Sequence, residues 1–348
     1  MNMGDILVLK GNEILALLAD QEKALVHSVE RAYIAHTRGE SSLPFSPVLR
    51  FPDHPESRIA ALPAYLGQDC KMAGLKWVAS FPANLECGLD RASAVIILNS
   101  AQTGIPQAII EGSVISAKRT AASAALAARY LQNEQRSSYL GIIGCGPINF
   151  EVVQFLLTLQ PEIQTLVLYD INQERVQLFK HKCQELGRDV EIHIVRDKHE
   201  VLSSCPLVSM ATTATTPHIL DMPEHPSNAV ILHISLRDLA PQVIVACDNI
   251  VDDIDHVSQA QTSIHLTEQL TGNRDCVRCT LADILLGKAP ARKHPTIPTI
   301  FSPFGLGILD IAVSKFVYDL ALREQHGTTL STFLPTPWVQ RVKQTAGR

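Results

Sequence analysis

The stretch SYLGIIGCGPINFEVVQFLLTLQPEIQTLVLYD, from Ser138 to Asp170, constrains this 348-residue chain more than any other. An apolar run from Tyr139 to Ile143 ends at Gly144, and Gly146 then opens a mostly apolar segment at helical spacing. A second apolar run, Thr165 to Tyr169, ends in Asp170. Strand, glycine turn, helix, strand and terminal acid is the order that seats a dinucleotide pyrophosphate on a helix N-terminus and its adenosine ribose against a carboxylate. Gly144 allows the tight turn, Gly146 lets backbone approach the phosphates, and Pro147, Ile148 and Asn149 complete the candidate cofactor-binding turn. Asn149 stands where the fingerprint has Gly or Ala, so helix and strand are expected to sit slightly farther apart. An acid at position 170 accepts from a free 2'-hydroxyl and repels a 2'-phosphate, which favours NAD; the nearby Arg175 leaves NADP open. A bare glycine turn between strand and helix is the alternative reading.

Downstream, residues 172–186 read as a helix, VEIHIV as a strand, and LVSMATTAT as a strand entering a loop with Thr212 and Thr213. NAVILHISLRD repeats this pattern with Asp238 at its polar end, and VIVACDNIVDD supplies a strand expected to end near Asp248. Such alternation argues for a mostly parallel sheet whose ligands bind beyond the strand C-termini, which puts Thr212, Thr213 and Asp238 in the cofactor layer. The class is therefore α/β, with a Rossmann-type NAD-binding domain over residues 130–309 and a second α+β domain from residues 1–129 plus 310–348. The second domain is completed by FSPFGLGILDIAVSKFVYDLALREQ, a long amphipathic helix expected to cross back; Gly305 and Gly307 let backbone approach the cofactor or open this helix.

The N-terminal part reads as helical over residues 11–38, with Asp20 as an N-cap and Gly39 as a stop. Proline-broken pieces follow, SPVLRF and SRIAALPAYL, then stronger strands at 74–81 and 92–99, and QAIIEG. Arg50 and Lys76 sit in strand contexts whose alternation can aim both at one cavity. SAKRTAASAALAARYL is a helix that Ser116 is able to cap, with Arg119 in its first turn beside free amides, an arrangement suited to an anion.

A net charge of −5, from 30 basic and 35 acidic side chains, gives no electrostatic footprint for nucleic acid or an acidic membrane. With no apolar run of membrane-spanning length and no signal-like N-terminus, a soluble cytoplasmic protein is expected. Eight cysteines in a chain of this length do not make a disulfide scaffold, and the Cys276–Cys279 pair lacks partners for a metal, so free thiols and no metal site are expected.

GLKWVASFPANLECGLDRASAVIILN, EGSVISAKRTAASAALAA, HISLRDLAP, NIVDD and TSIHLT together resemble the ornithine cyclodeaminase and mu-crystallin family over nearly the whole chain. The resemblance implies that the second domain binds substrate and forms a homodimer, and that the activity is NAD-dependent chemistry on an amino-acid C–N bond. It also implies that Lys76 is the substrate-cavity lysine, that Arg119 and Arg50 bind substrate carboxylates, and that Asp238 is the catalytic aspartate, with Lys76 as the other catalytic candidate. Cyclodeaminases carry GDCPGKTEL where this chain has LRDLAPQVI, a departure that favours the amino-acid dehydrogenase branch. That branch implies oxidative cleavage of a secondary amine joining glutamate to 2,3-diaminopropionate, a siderophore or non-ribosomal peptide precursor. Ornithine cyclisation, another imine oxidoreductase activity, and cofactor binding without turnover are the alternatives.

Overall fold

The computed structural model describes residues 4–132 and 136–338; the extreme ends of the expected second domain, residues 1–3 and 339–348, and residues 133–135 of the expected nucleotide domain lie outside the described residues. The chain opens with a short strand that periodicity did not reveal, β1 (Ile6–Leu9), followed by α1 (Gly11–Leu17) and α2 (Glu22–Thr37). The helical stretch expected over 11–38 is two helices that part at Asp20, which adopts a positive φ of 58°, and Gln21 rather than Asp20 is the N-cap of α2. Next come β2 (Ser41–Ser42), β3 (Val48–Phe51), β4 (His54–Leu66), β5 (Met72–Ser80), β6 (Ala92–Ser100) and β7 (Pro106–Glu111), then α3 (Ser113–Leu131).

The second unit alternates β8 (Tyr139–Ile143), α4 (Pro147–Leu159), β9 (Thr165–Tyr169), α5 (Gln173–Gln184), β10 (Glu191–Ile194), α6 (Lys198–Ser204) and β11 (Leu207–Met210). It continues through β12 (Val230–His233), α7 (Pro241–Ala246), β13 (Asp248–Val251), α8 (Ile254–Val257), α9 (Ser263–Thr271), β14 (Val277–Thr280), α10 (Leu281–Leu285) and β15 (Thr299–Ser302). These strands form one parallel sheet in the order β10-β9-β8-β11-β12-β15-β13-β14. Its reversal of direction on either side of β8 and β11 is the doubly wound pattern of a Rossmann-type fold. Asp248 begins a strand instead of ending one, because the preceding apolar run folds into α7, with Pro241 at its first turn.

The last described elements return to the first unit. Helix α11 (Gly307–Glu324) packs on β4, β5, α2 and α3, and β16 (Thr328–Leu330) pairs antiparallel with β1. The mixed sheet runs β16-β1-β7-β6-β5-β4-β2, with β3 on the other part of the long β4. The alanine-rich α3 is buried on nearly all sides, from Ala121 to Ala128, which lets α2, α4 and α11 approach its backbone closely. It welds the two sheets together. Among the described residues, no helix is long and apolar enough to cross a membrane.

Candidate active site

At the end of β8 the chain turns at Gly144, whose φ is +92° and where an added Cβ would lie 2.4 Å from the carbonyl oxygen of Ala211. Only glycine fits there. Gly146 is the N-cap of α4, and the space a Cβ would take is open, so its backbone can meet a bulky anion at a helix N-terminus. Pro147 takes the first helical position and is exposed, with Ile148 half-buried beside it. Asp170, at the end of β9, accepts from the Cys145 N–H at 2.8 Å and the Asn172 N–H at 2.9 Å, which ties the acid to the turn. Arg175 is half-buried one turn into α5. This combination of an open helix N-terminus and a terminal acid on the next strand fits a dinucleotide.

Asn149 behaves otherwise than the sequence suggested. Its side chain is fully buried, donates to the carbonyls of Ile143 (3.0 Å) and Gly144 (2.7 Å), and accepts from Ser209 Oγ at 2.7 Å. It braces the turn against β11 from behind, and that burial removes the side chain from the face a cofactor would touch.

Asp238, just beyond β12, is also fully buried. One carboxylate oxygen receives the Thr212 hydroxyl and lies 2.9 Å from His218 Nε2, while the other lies 3.3 Å from His233 Nε2. Burial would raise its pKa, but hydrogen bonds from His218, His233 and Ser235 outweigh that and hold the carboxyl well below the usual range. Such a group resists protonation. Thr212 is thereby committed to Asp238, and Thr213 is exposed in the same loop. His218, whose side chain is 28% exposed, is the more accessible member of this network.

In the first unit Lys76, on β5, reaches across to α11. Its Nζ lies 2.8 Å from Asp310 Oδ2 and donates to Ser116 Oγ at 3.1 Å. Arg119 Nε donates to the other oxygen of Asp310 at 3.0 Å, and among the described residues neither Nη of Arg119 has a hydrogen-bond partner. Asp310 is fully buried in the first turn of α11, where the helix dipole favours an anion. Burial lowers the Lys76 pKa, Asp310 partly restores it, and Arg119 lowers it again, leaving it at about 8. A buried lysine that is half-neutral at about pH 8, beside a guanidinium with two free edges, can exchange a proton next to a group able to clamp a carboxylate.

Arg119 is not in the first turn of its helix, and Ser116 is not the cap. Helix α3 begins at Ser113, and the Glu111 carboxylate takes the N–H groups of Ser113 (2.7 Å) and Val114 (3.2 Å). An acid already caps those amides, so they hold no anion with Arg119. Gly305 likewise faces Arg119, not the nucleotide turn: at φ +93° a Cβ would stand 2.8 Å from the arginine Nη1. Gly307 opens α11 against β4. Arg50 lies exposed on β3, directly opposite Arg58 on β4.

The fold and these clusters define a two-unit oxidoreductase of the dinucleotide-binding type, with the nucleotide turn in one unit and a Lys–Asp–Arg group in the other. The chain belongs to the ornithine cyclodeaminase/mu-crystallin family, whose sequence pattern matches residues 12–325. It is 28% identical over 335 residues to N-((2S)-2-amino-2-carboxyethyl)-L-glutamate dehydrogenase of Staphylococcus aureus, covering 94% of this chain and 99% of that one. Its structure is similar to that of Thermococcus litoralis Delta(1)-pyrroline-2-carboxylate reductase in complex with NADH and L-proline, with a TM-score of 0.84, 26% identity and coverage of 93% and 99%. A dimeric archaeal alanine dehydrogenase with bound NAD superposes with a TM-score of 0.82, at 26% identity and coverage of 94% and 100%.

Proposed function

We propose that this protein is an NAD-dependent dehydrogenase that cleaves N-((2S)-2-amino-2-carboxyethyl)-L-glutamate to 2-oxoglutarate and L-2,3-diaminopropionate. The observation that carries the reading is the buried Lys76–Asp310–Arg119 group, in which a lysine whose pKa burial lowers to about 8 adjoins a guanidinium with two free edges. The likeness to the staphylococcal dehydrogenase supports the substrate. NAD+, when bound on Gly144, Gly146 and Asp170, supplies the hydride acceptor. The two Nη groups of Arg119 hold the α-carboxylate of the glutamate half, which fixes the α-carbon and its secondary nitrogen beside Lys76. Loss of hydride from that carbon leaves a C=N bond. Neutral Lys76 then takes a proton from the attacking water and returns it to the nitrogen, and the C–N bond breaks as the hydroxyl proton leaves, releasing the amine and the oxo acid. Asp310 holds Lys76 in place, and Asp238, too acidic to be the proton acceptor, orients His218 at the cofactor layer.

The test is incubation of the protein with the conjugate and either NAD+ or NADP+, with absorbance of the reduced cofactor and product masses followed together. One 2-oxoglutarate and one 2,3-diaminopropionate per NADH is expected. Equal rates with NADP+ would remove Asp170 from nucleotide selection. No turnover of the conjugate, with oxidation of alanine or reduction of pyrroline-2-carboxylate instead, would favour the monocarboxylate chemistry of the structural relatives.

An exposed face of the mixed sheet supports a homodimer. The sheet's α11 face is covered, while Leu49, Tyr65 and Trp77 stand on the opposite face, 49%, 38% and 40% exposed. Apolar groups lined up in this way mark a protein contact. Light scattering is expected to give twice the 38.1 kDa chain mass for the native protein and a shift toward the monomer for Trp77→Lys. A native monomer would refute the assembly.

A further inference from the structure

Strand register places a row of arginines at the end of the substrate sheet beyond Lys76. Arg50 on β3 pairs directly with Arg58 on β4, Arg58 with Ser80 on β5, and Ser80 with Ala92 on β6, next to Arg91. Directly paired residues share a sheet face, and Leu62, which pairs with Lys76, follows Arg58 on the same strand at even spacing. Arg50, Arg58 and Lys76 therefore lie on one face, that of α11, with the two arginines separated from Lys76 along the strands by roughly 13 Å at about 3.3 Å per residue, while Arg91, just before β6, brings its charge close to Arg58. From the nucleotide unit Arg237 approaches the same place, anchored by donation from Nη2 to the Ala260 carbonyl at 2.7 Å.

These cations lack the partners that structural arginines keep. Among the described residues, none of Arg50, Arg58, Arg91 and Arg237 forms an ion pair, and Arg91 Nε is buried with no hydrogen-bond partner. Arg58, Arg91 and Arg237 are half-buried, so water screens their mutual repulsion only in part. Burial lowers the pKa of Arg58, and the charges of Arg91, Arg237 and Arg50 lower it further. Like charges gathered without counterions are destabilising unless an anion joins them.

We infer that Arg58, Arg91 and Arg237, with Arg50 at the rim, form a second carboxylate subsite that selects substrates bearing carboxylates beyond the one held at Arg119. This rests on the dehydrogenase reading above for the identity of the substrate, and it explains how the chain would prefer a polycarboxylate over alanine or proline. Arg58 and Arg91 come from the substrate sheet and Arg237 from the nucleotide unit, so a bound carboxylate there bridges the two units.

The experiment measures binding of 2-oxoglutarate and of pyruvate to NADH-loaded protein by calorimetry, in native, Arg58→Gln, Arg91→Gln and Arg58→Lys forms. The native protein is expected to prefer the dicarboxylate by about tenfold or more, equivalent to about 1.4 kcal/mol. Both glutamine variants should lose most of that preference by weakening 2-oxoglutarate alone, and Arg58→Lys should keep part of it. General damage would weaken both oxo acids equally. A native protein without the preference, or glutamine variants that retain it, would overturn the subsite. A native protein that shows the preference yet fails to oxidise the conjugate supports the subsite and refutes only the dehydrogenase reading.

Discussion

Replacement of Lys76 by Met is expected to reduce kcat by roughly a hundredfold or more, the ordinary scale for losing a positioned acid–base group. Cofactor affinity should change little, because Lys76 belongs to the mixed sheet and not to the glycine turn. The pH profile carries more information than the rate. Burial lowers the Lys76 pKa, Asp310 raises it and Arg119 lowers it, to about 8. A protonated Lys76 takes no proton from water, so oxidative kcat/KM should climb as pH passes through about 8 and level off above it. Removing the carboxylate that favours the ammonium, by Asp310→Asn, should move that inflection to lower pH. An inflection that stays in Lys76→Met, or that does not move in Asp310→Asn, would take the proton role away from Lys76. Stability responds in the same sense. The folded chain releases this proton near pH 8 and the unfolded chain near 10.5, so unfolding free energy from this group rises between those values. Below pH 8 the burial penalty is present in full.

Gly144→Ala is expected to produce the other large effect. A Cβ would meet the Ala211 carbonyl oxygen at 2.4 Å, at a backbone φ of +92° that L side chains rarely adopt. Strain of this kind costs on the order of 1–3 kcal/mol before the collision with β11's continuation is counted. The variant should melt lower and bind NAD+ more than tenfold more weakly, as read by thermal denaturation and fluorescence titration. Gly146→Ala separates the site from the fold. Its Cβ projects into open space with φ at −103°, so melting should hold while NAD+ affinity falls, because the methyl group takes room needed by the pyrophosphate. A Gly144→Ala protein with native melting and native NAD+ affinity would show that the turn relaxes freely.

The nucleotide turn was legible because its parts are contiguous: strand, glycines, helix and acid follow one another within Ser138 to Asp170. Lys76 and Arg119 were legible through their motifs, but Asp310 was not. Within LDIAV it reads as one acid on an amphipathic helix, and only the long-range return of α11 sets it between Lys76 and Arg119. Glu111 was missed as the cap of α3 because a strand's last residue capping the next helix leaves no S/T/D/N signature at the helix start. The arginine row was hidden for another reason. Arg50 and Arg58 sit on different strands and Arg91 just ahead of a third, and register, which spacing along the chain does not determine, brings them to the same end of the sheet.

The pairing of β1 with β16 bears on how the chain is made. Synthesis delivers α2, β4 to β7 and α3 first, yet the sheet lacks its edge strand, its covering helix and Asp310 until the whole nucleotide unit has been translated. The parallel sheet is continuous in sequence and can mature on its own, whereas the mixed sheet must wait with one apolar face bare. Lys76 therefore gains its Asp310 partner only after the nucleotide unit has emerged, and a stalled chain ending before α11 holds the glycine turn without the Lys76–Asp310–Arg119 group.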